Sequence, residues 1–365
     1  MRILYDHQMF SIQKYGGVTK YFCELMKSFP FEHEYTLSLL LSDNQYLKEN
    51  NKIFKKKNFP LPNSNFKGKR FFKKSIYNLN QIYSSHFISS NEFDVFHPTF
   101  YDNYFFSVLK KPYVITVHDL IAFRYKDTYL KEDPYRHLMK RVIKNATRII
   151  SVSQNTKQDI IDTFNINEEN IDVVYHGFAK PKMIERTLDY GKYILFVGRR
   201  SGYKNFKRFV NSISNLLNKE GDIKLVCVGE PFNRDENSEL IKLKIFKQAI
   251  ALTVDEDSLN NLYANALLFV YPSFYEGFGM PILEAFANNC PVCLSNTSCF
   301  PEIAGNAGIY FDPNDQESIS TAVNKVIYTK IFRNQMINRG IERLSEFSWS
   351  KTAKKTLLSY QKAVC

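Results

Sequence analysis

No stretch of the chain approaches the roughly 18 consecutive apolar residues of a membrane-spanning helix. The start, MRILYDHQMF, carries charges and a histidine where a secretory leader would need an apolar core. The expectation is a cytoplasmic protein. Clustered metal ligands are also missing. The six cysteines, Cys23, Cys227, Cys290, Cys293, Cys299 and Cys365, are scattered through 365 residues, the pattern of reduced thiols. Cys290-Pro-Val-Cys293 is formally C-x-x-C, but it has no nearby His or further Cys beyond Cys299, and it reads as the opening of a buried strand. The G-x-x-x-x-G-K-[ST] phosphate loop is absent. So is a D-x-D pair poised to hold a metal with a nucleotide, since Asp255-Glu256-Asp257 reads as a helix cap. Acidic residues are the scarcer sign: 49 Lys and Arg against 37 Asp and Glu give +12, which favours anionic partners.

What is present is a globular composition, 44% hydrophobic and 15% aromatic. The pattern alternates strands and helices. RILYD, YTLSLLLS, FDVFHPT, YVITVHDL, RIISVS and IDVVYHGF read as strands. GGVTKYFCELMKSF, DPYRHLMKRVIKNA and SQNTKQDIIDTF read as helices between them, the last capped by Ser153 or Asn155. After the polar connection AKPKMIERTLDYGK the alternation restarts with YILFVG, NFKRFVNSISNLL, IKLVCVG, DSLNNLYANA, LLFVYPS, MPILEAFANN and PVCLSN, and the chain ends in helical pattern. Two runs of βα units predict an α/β protein of two doubly wound, Rossmann-like domains facing across a cleft. They span residues 1–180 and 190–349, with a final helix at about 350–365 packing back on the first.

Parallel sheets bind ligands beyond their carboxyl strand ends, so the residues there are the candidates. After the first strand, Gly16-Gly17 precede a helix, where free N–H groups can meet an anion or a tight turn can form. His118 and Asp119 follow YVITV. Arg199, Arg200 and Lys204 surround Ser-Gly after YILFVG, a set suited to a diphosphate. After LLFVYPS comes SFYEGFGMPILEA. Pro281 suits a first helical turn, and the backbone of Gly277, Phe278, Gly279 and Met280 offers N–H groups at a positive helix end. Glu284 can accept from ribose hydroxyls and Glu276 from a sugar hydroxyl.

SFYEGFGMPILEA resembles the E-x7-E signature of the retaining glycosyltransferases of family 4, which have the two-domain GT-B fold. LYDHQMFSIQKYGGVTKYF, TVHDL, ISVSQNTKQDII, FVGRRSGYKNF, LYANALLFVYPS, PEIAGNAGIYFDPND and FSW occur in the order seen in that family's bacterial surface-polysaccharide and O-antigen members, including mannosyltransferases. The resemblance implies that Glu276 contacts the donor sugar and Glu284 the ribose. It implies that Arg199 and Lys204 bind the diphosphate, with Arg200 doubling the usual single arginine. Phe278, Gly279 and Met280 would give amides to sugar and phosphate, Gly17 would lie under the diphosphate, and His118 would sit beside the reacting sugar. The region AIALTVDEDSL lacks a glycine common where the base is held, which leaves the base open; the resemblance implies a GDP- or UDP-linked donor. It enters as a substrate, and neither a cofactor nor a metal is expected.

The implied reaction transfers a sugar with retention to a saccharide or a polyprenyl-diphosphate-linked saccharide. The preferred route is front-face attack assisted by the leaving phosphate, with Glu276 as covalent nucleophile the alternative. A GT-B epimerase, a pyridoxal-dependent phosphorylase and a non-catalytic polyanion binder are rival readings. Residues 50–91 hold nine Lys or Arg and no acid, interleaved with Phe54, Phe59, Phe66, Phe71, Phe72, Ile76 and Tyr77. That mixture predicts peripheral attachment to an anionic membrane surface instead of nucleic-acid binding.

Overall fold

The computed structural model describes residues 1–50, 69–125, 134–180, 190–200 and 202–365. The chain forms two compact units, one of Met1–Gly177 with Ser348–Cys365 and one of Phe178–Phe347.

The first unit contains β1 (Arg2–Tyr5), β2 (Glu34–Leu37), β3 (Val95–His97), β4 (Val114–Val117), β5 (Arg148–Ser151) and β6 (Ile171–Val173). They form two parallel sheets, β2-β1-β3 and β4-β5-β6, linked by the single bridge Phe96↔Tyr113. The helix Gly17–Lys27 packs Tyr21, Phe22, Leu25 and Met26 onto this layer. Ser153, not Asn155, caps the helix Gln154–Phe164, accepting from the Thr156 amide. YTLSLLLS pairs only over Glu34–Leu37, because after Leu37 the backbone turns away and the Leu39 amide bonds back to the Leu37 carbonyl. The helix Trp349–Val364 belongs to this unit. Its Tyr360 hydroxyl meets the Tyr5 hydroxyl at 2.7 Å and His97 Nδ1 at 2.6 Å. Gly177 lies so close beneath Trp349 that a Cβ there would come within 2.3 Å of its backbone nitrogen.

The second unit contains β7 (Tyr193–Val197), β8 (Lys224–Val228), β9 (Ala249–Leu252), β10 (Leu268–Tyr271), β11 (Val292–Ser295) and β12 (Gly308–Phe311). They make one parallel six-stranded sheet in the order β12-β11-β10-β7-β8-β9. The helix Phe206–Glu220 buries Phe209, Val210, Ile213 and Leu217 against it, each worth about 1.5–3 kcal/mol on full burial. Sequence periodicity misses β9 and the helix Arg234–Lys242. β9 is a half-exposed edge strand. The helix buries only Leu240 and is held instead by a capping box between Asn233 and Glu236.

Cys23, Cys227, Cys290, Cys293 and Cys299 are buried free thiols, and burial pushes the thiols of Cys290 and Cys293 upward, consistent with their reading as core residues. No helix among the described residues is long and apolar enough to cross a membrane.

Candidate donor site

In the second sheet the strand order reverses between β7 and β10, and that is where a doubly wound sheet offers its ligand crevice. Two of the expected segments leave from these two strands.

After β7, Gly198 takes φ +119° and Arg199 follows, exposed, with no ion pair or hydrogen bond among the described residues. A single 3-10 turn, Gly202–Lys204, then leads to Asn205 (φ +56°), which opens the helix Phe206–Glu220. This turn aims Lys204 at the loop after β10. Lys204 Nζ donates to Glu276 Oε1 at 2.6 Å, and both side chains are almost buried, at 13% and 11% exposure. The ammonium also lies over the rings of Tyr203 and Tyr271, 5.2 and 5.3 Å from their centroids. The Glu276 backbone is pinned by Ser298, whose hydroxyl donates to the Glu276 carbonyl at 2.6 Å and accepts from its amide at 3.1 Å. Burial, and then the Glu276 charge, push the Tyr271 hydroxyl well above its ordinary range. It therefore stays a neutral phenol beside the ion pair.

The loop turns into the helix Met280–Ala287 through Gly279, whose φ of +91° only glycine adopts freely. Pro281 sits in the first turn. Phe278 is buried and meets Phe347 edge-on at 6.0 Å. The amides of Gly279 and Met280 make no hydrogen bond among the described residues, so the positive end of the helix is available to an anion. One turn further, Glu284 Oε2 accepts from the buried Tyr263 hydroxyl at 3.1 Å. Burial, and then the Glu284 charge, raise that phenol too, leaving it a fixed donor that sets the carboxylate's orientation. Asp255 caps the helix Glu256–Asn265 that carries Tyr263, accepting from the Ser258 amide at 2.9 Å.

The two arginines part company. Arg200 Nε donates to Glu236 Oε1 at 3.0 Å, and its Nη2 donates to the carbonyls of Glu230 and Pro231 at 2.6 and 2.9 Å. The guanidinium lies over Phe206 and Phe232, and its side chain is 4% exposed. The sequence leaves either arginine open as a diphosphate ligand; here the Arg200 charge braces the loop after β8, whereas the Arg199 guanidinium has no partner among the described residues.

The remaining candidates lie on the first unit. Gly16 and Gly17 open the helix Gly17–Lys27, and a Cβ at Gly17 would meet nothing within 4 Å. His118 follows β4. Its Nε2 is shielded from solvent and has no hydrogen-bond partner among the described residues, and its ring stacks on His176 at 5.4 Å and 7°, with Tyr21 nearly perpendicular to both. Burial lowers its pKa to about 4, so it is a neutral imidazole at pH 7. Ile76 is buried, and the Tyr77 hydroxyl donates to Asp102 Oδ2 at 2.8 Å. The expectation that these two enter a membrane therefore gives way to inward packing. Phe54, Phe59, Phe66, Lys55, Lys56 and Lys57 lie outside the described residues, as does the side chain of Phe71.

Sequence reasoning missed Tyr271, Tyr263 and Ser298. The signal for Tyr271 is its place as the last residue of a strand ending at the switch point.

The family model "Glycosyltransferase Family 4" matches residues 15–179 and "Glycosyl transferases group 1" matches residues 182–343. The chain is 30% identical over 213 residues to the O-antigen chain mannosyltransferase RfbU of Salmonella typhimurium, covering 58% of this chain and 60% of that one. It is 30% identical over 268 residues to the O-antigen chain mannosyltransferase B of Escherichia coli, covering 68% and 70%. Among solved structures, Anabaena Alr3699/HepE in complex with UDP-glucose superimposes with a TM-score of 0.74 at 15% identity, over 99% of both chains. A glycosyltransferase from Rickettsia africae gives 0.70 at 18% over 99% and 98%. At these identities the structural likeness speaks to the fold, which is GT-B. The two matched families meet at the junction of the two units, and the chain belongs to the family 4 glycosyltransferases.

Proposed function

We propose that the protein transfers a sugar, with retention and without a metal, from a GDP- or UDP-linked donor to a saccharide or polyprenyl-diphosphate-linked saccharide in bacterial surface-polysaccharide assembly. The relatives' names support the pathway, and the observation that carries the chemistry is the buried Lys204–Glu276 pair beside the free amides of Gly279 and Met280.

Lys204 and the helix end are fixed positive groups, and Arg199 adds an exposed one. They would stabilise the diphosphate as it leaves, when its negative charge grows. Glu276, fixed by Ser298, would accept from sugar hydroxyls, and Glu284 would hold the ribose. His118, a neutral imidazole on the first unit, is the residue the family likeness offers for the reacting sugar. Because Lys204 neutralises Glu276 in the free protein, front-face attack assisted by the leaving phosphate is preferred over covalent attack by Glu276.

The test presents GDP- and UDP-sugars, follows thermal protection and sugar release, and reads the product anomer by NMR. Retained configuration and activity surviving EDTA are expected. Inversion, or loss of activity restored by Mg²⁺, would refute the reading.

Membrane attachment is proposed through the described part of the basic segment. The helix Lys69–Ser90 exposes Phe72, Leu79 and Ile82, and it also exposes Lys74. Co-sedimentation with anionic vesicles should fall with salt and with Ile82→Ser. Equal sedimentation with neutral and anionic vesicles would remove this part of the proposal.

A further inference from the structure

A strand at the edge of a sheet offers a row of unpaired N–H and C=O groups, and proteins blunt such edges with charge or burial. The outer strands of this chain differ in that respect. β2 carries the exposed Glu34. β6 carries Asp172, ion-paired with Arg148 and Lys362. β12 buries Ile309 and Phe311. β9, at the other edge of the second sheet, has neither device. Its residues Ala249, Ile250, Ala251 and Leu252 are all apolar and all half-exposed. Shortness does not protect it either, since it is as long as β10 and β11. The turn that leads into it, Phe246–Gln248, leaves Phe246 46% exposed.

The backbone of β9 presents a defined set of groups. The Gly229 amide donates to the Leu252 carbonyl at 2.8 Å, so Leu252 turns its peptide groups toward β8. By the alternation of a strand, Ala251 and Thr253 turn theirs outward. Among the described residues no other segment meets them.

The charge along this edge is polarised. Lys244 and Lys247 precede the strand, both exposed and neither in an ion pair among the described residues. Asp255 and Glu256 follow it, both exposed. A second copy laid parallel would set like charge against like. A second copy laid antiparallel sets each basic end against an acidic end, and a two-fold axis makes that match twice. With Ala251 facing its own counterpart, the outward N–H and C=O groups of the two copies meet, and the half-exposed side chains on both faces of the strand are covered.

We propose that β9 is the contact through which two copies of this chain join, antiparallel about a two-fold axis, with Lys244 and Lys247 of each copy facing Asp255 and Glu256 of the other. The pairing merges two six-stranded sheets into one continuous sheet. It occupies this edge in both copies, so the assembly closes at two. The proposal does not rest on the transferase reading.

Sedimentation velocity of the full chain, across protein concentration and at low and high salt, tests it, with circular dichroism reporting the folding of each variant. The expected result is a monomer–dimer equilibrium that weakens with salt, with no larger species. Ala251→Pro removes an outward amide and leaves the ladder with β8 intact, and should abolish the dimer. Lys247→Glu and Glu256→Lys should each weaken it by about tenfold. An equimolar mixture of those two variants should recover it, because every basic end again finds an acidic one. If Ala251→Pro does not fold, the charge variants decide alone. A monomer at every concentration, which is what an edge reserved for a foreign strand would leave, would overturn the proposal. So would a dimer unchanged in the folded variants, no recovery in the mixture, or species larger than two.

Discussion

The two units are built on the same plan, six parallel strands each, but their polar groups are handled in opposite ways. The first unit buries histidines and a carboxyl in hydrogen-bond networks, away from its ion pairs such as Arg148 with Asp172. Asp6 accepts from the Thr99 amide at 2.8 Å and from Thr99 Oγ1 and Gln8 Nε2 at 2.7 Å. His97 is held between Tyr360 and Thr116. All seven histidines of the chain, the last being His176, lie in this unit. The second unit has no histidine and concentrates charge at the strand ends around the switch point. A shared fold thus supports two different sensitivities, the first to protons and the second to loss of a charge.

Acid should break the comparison most strongly. Burial lowers His7 and His118 to about 4 and His97 to about 3, and holds His176 well below its ordinary value. Between the ordinary histidine pKa of about 6.5 and these values, the unfolded chain binds protons that the folded sites refuse. Stability is then fully present above about pH 6.5 and falls as pH falls. At pH 5 each site costs on the order of 2 kcal/mol. Hydrogen exchange at pH 5 and 7 should show the first unit loosening while amides of β7, β8 and β10 stay protected; equal loosening of both units would contradict this.

The next effect is on turnover. Lys204→Ala should slow sugar transfer by about 10²–10³, and Arg199→Ala should do the same with little change in melting temperature. Arg200→Ala should show the reverse balance, a loss of about 2 kcal/mol in stability and a smaller loss of rate than Arg199→Ala. Equal kinetic losses in the two arginine variants would restore Arg200 to the diphosphate.

A smaller effect belongs to Glu284. Tyr263→Phe removes the donor that orients it and should weaken nucleotide binding by about three- to tenfold, measured by calorimetry, with Glu284→Ala weakening it further. Unchanged binding in Glu284→Ala would leave the ribose assignment without support.

These differences also set what the sequence discloses. The order of strands and helices was legible because each buried element carries its own period, as Tyr21, Phe22, Leu25 and Met26 do in one helix. The site segments were legible because glycine, proline and charge mark strand ends. The separation of Arg199 from Arg200 was not, because it depends on Glu236 and the carbonyls of Glu230 and Pro231, some 30 residues away. Tyr263 and Tyr271 look like ordinary core aromatics until their hydroxyls are placed.

The return of Ser348–Cys365 to the first unit gives the molecule a schedule. Tyr5 and His97 are synthesised before the second unit, yet the hydroxyl that joins them, on Tyr360, is synthesised after it. At about 5–20 residues per second, the intervening second unit takes roughly ten to thirty seconds to emerge. Throughout that interval the first unit waits with an open seat for Trp349, Leu357 and Tyr360, so the nascent chain completes its first half only after its second.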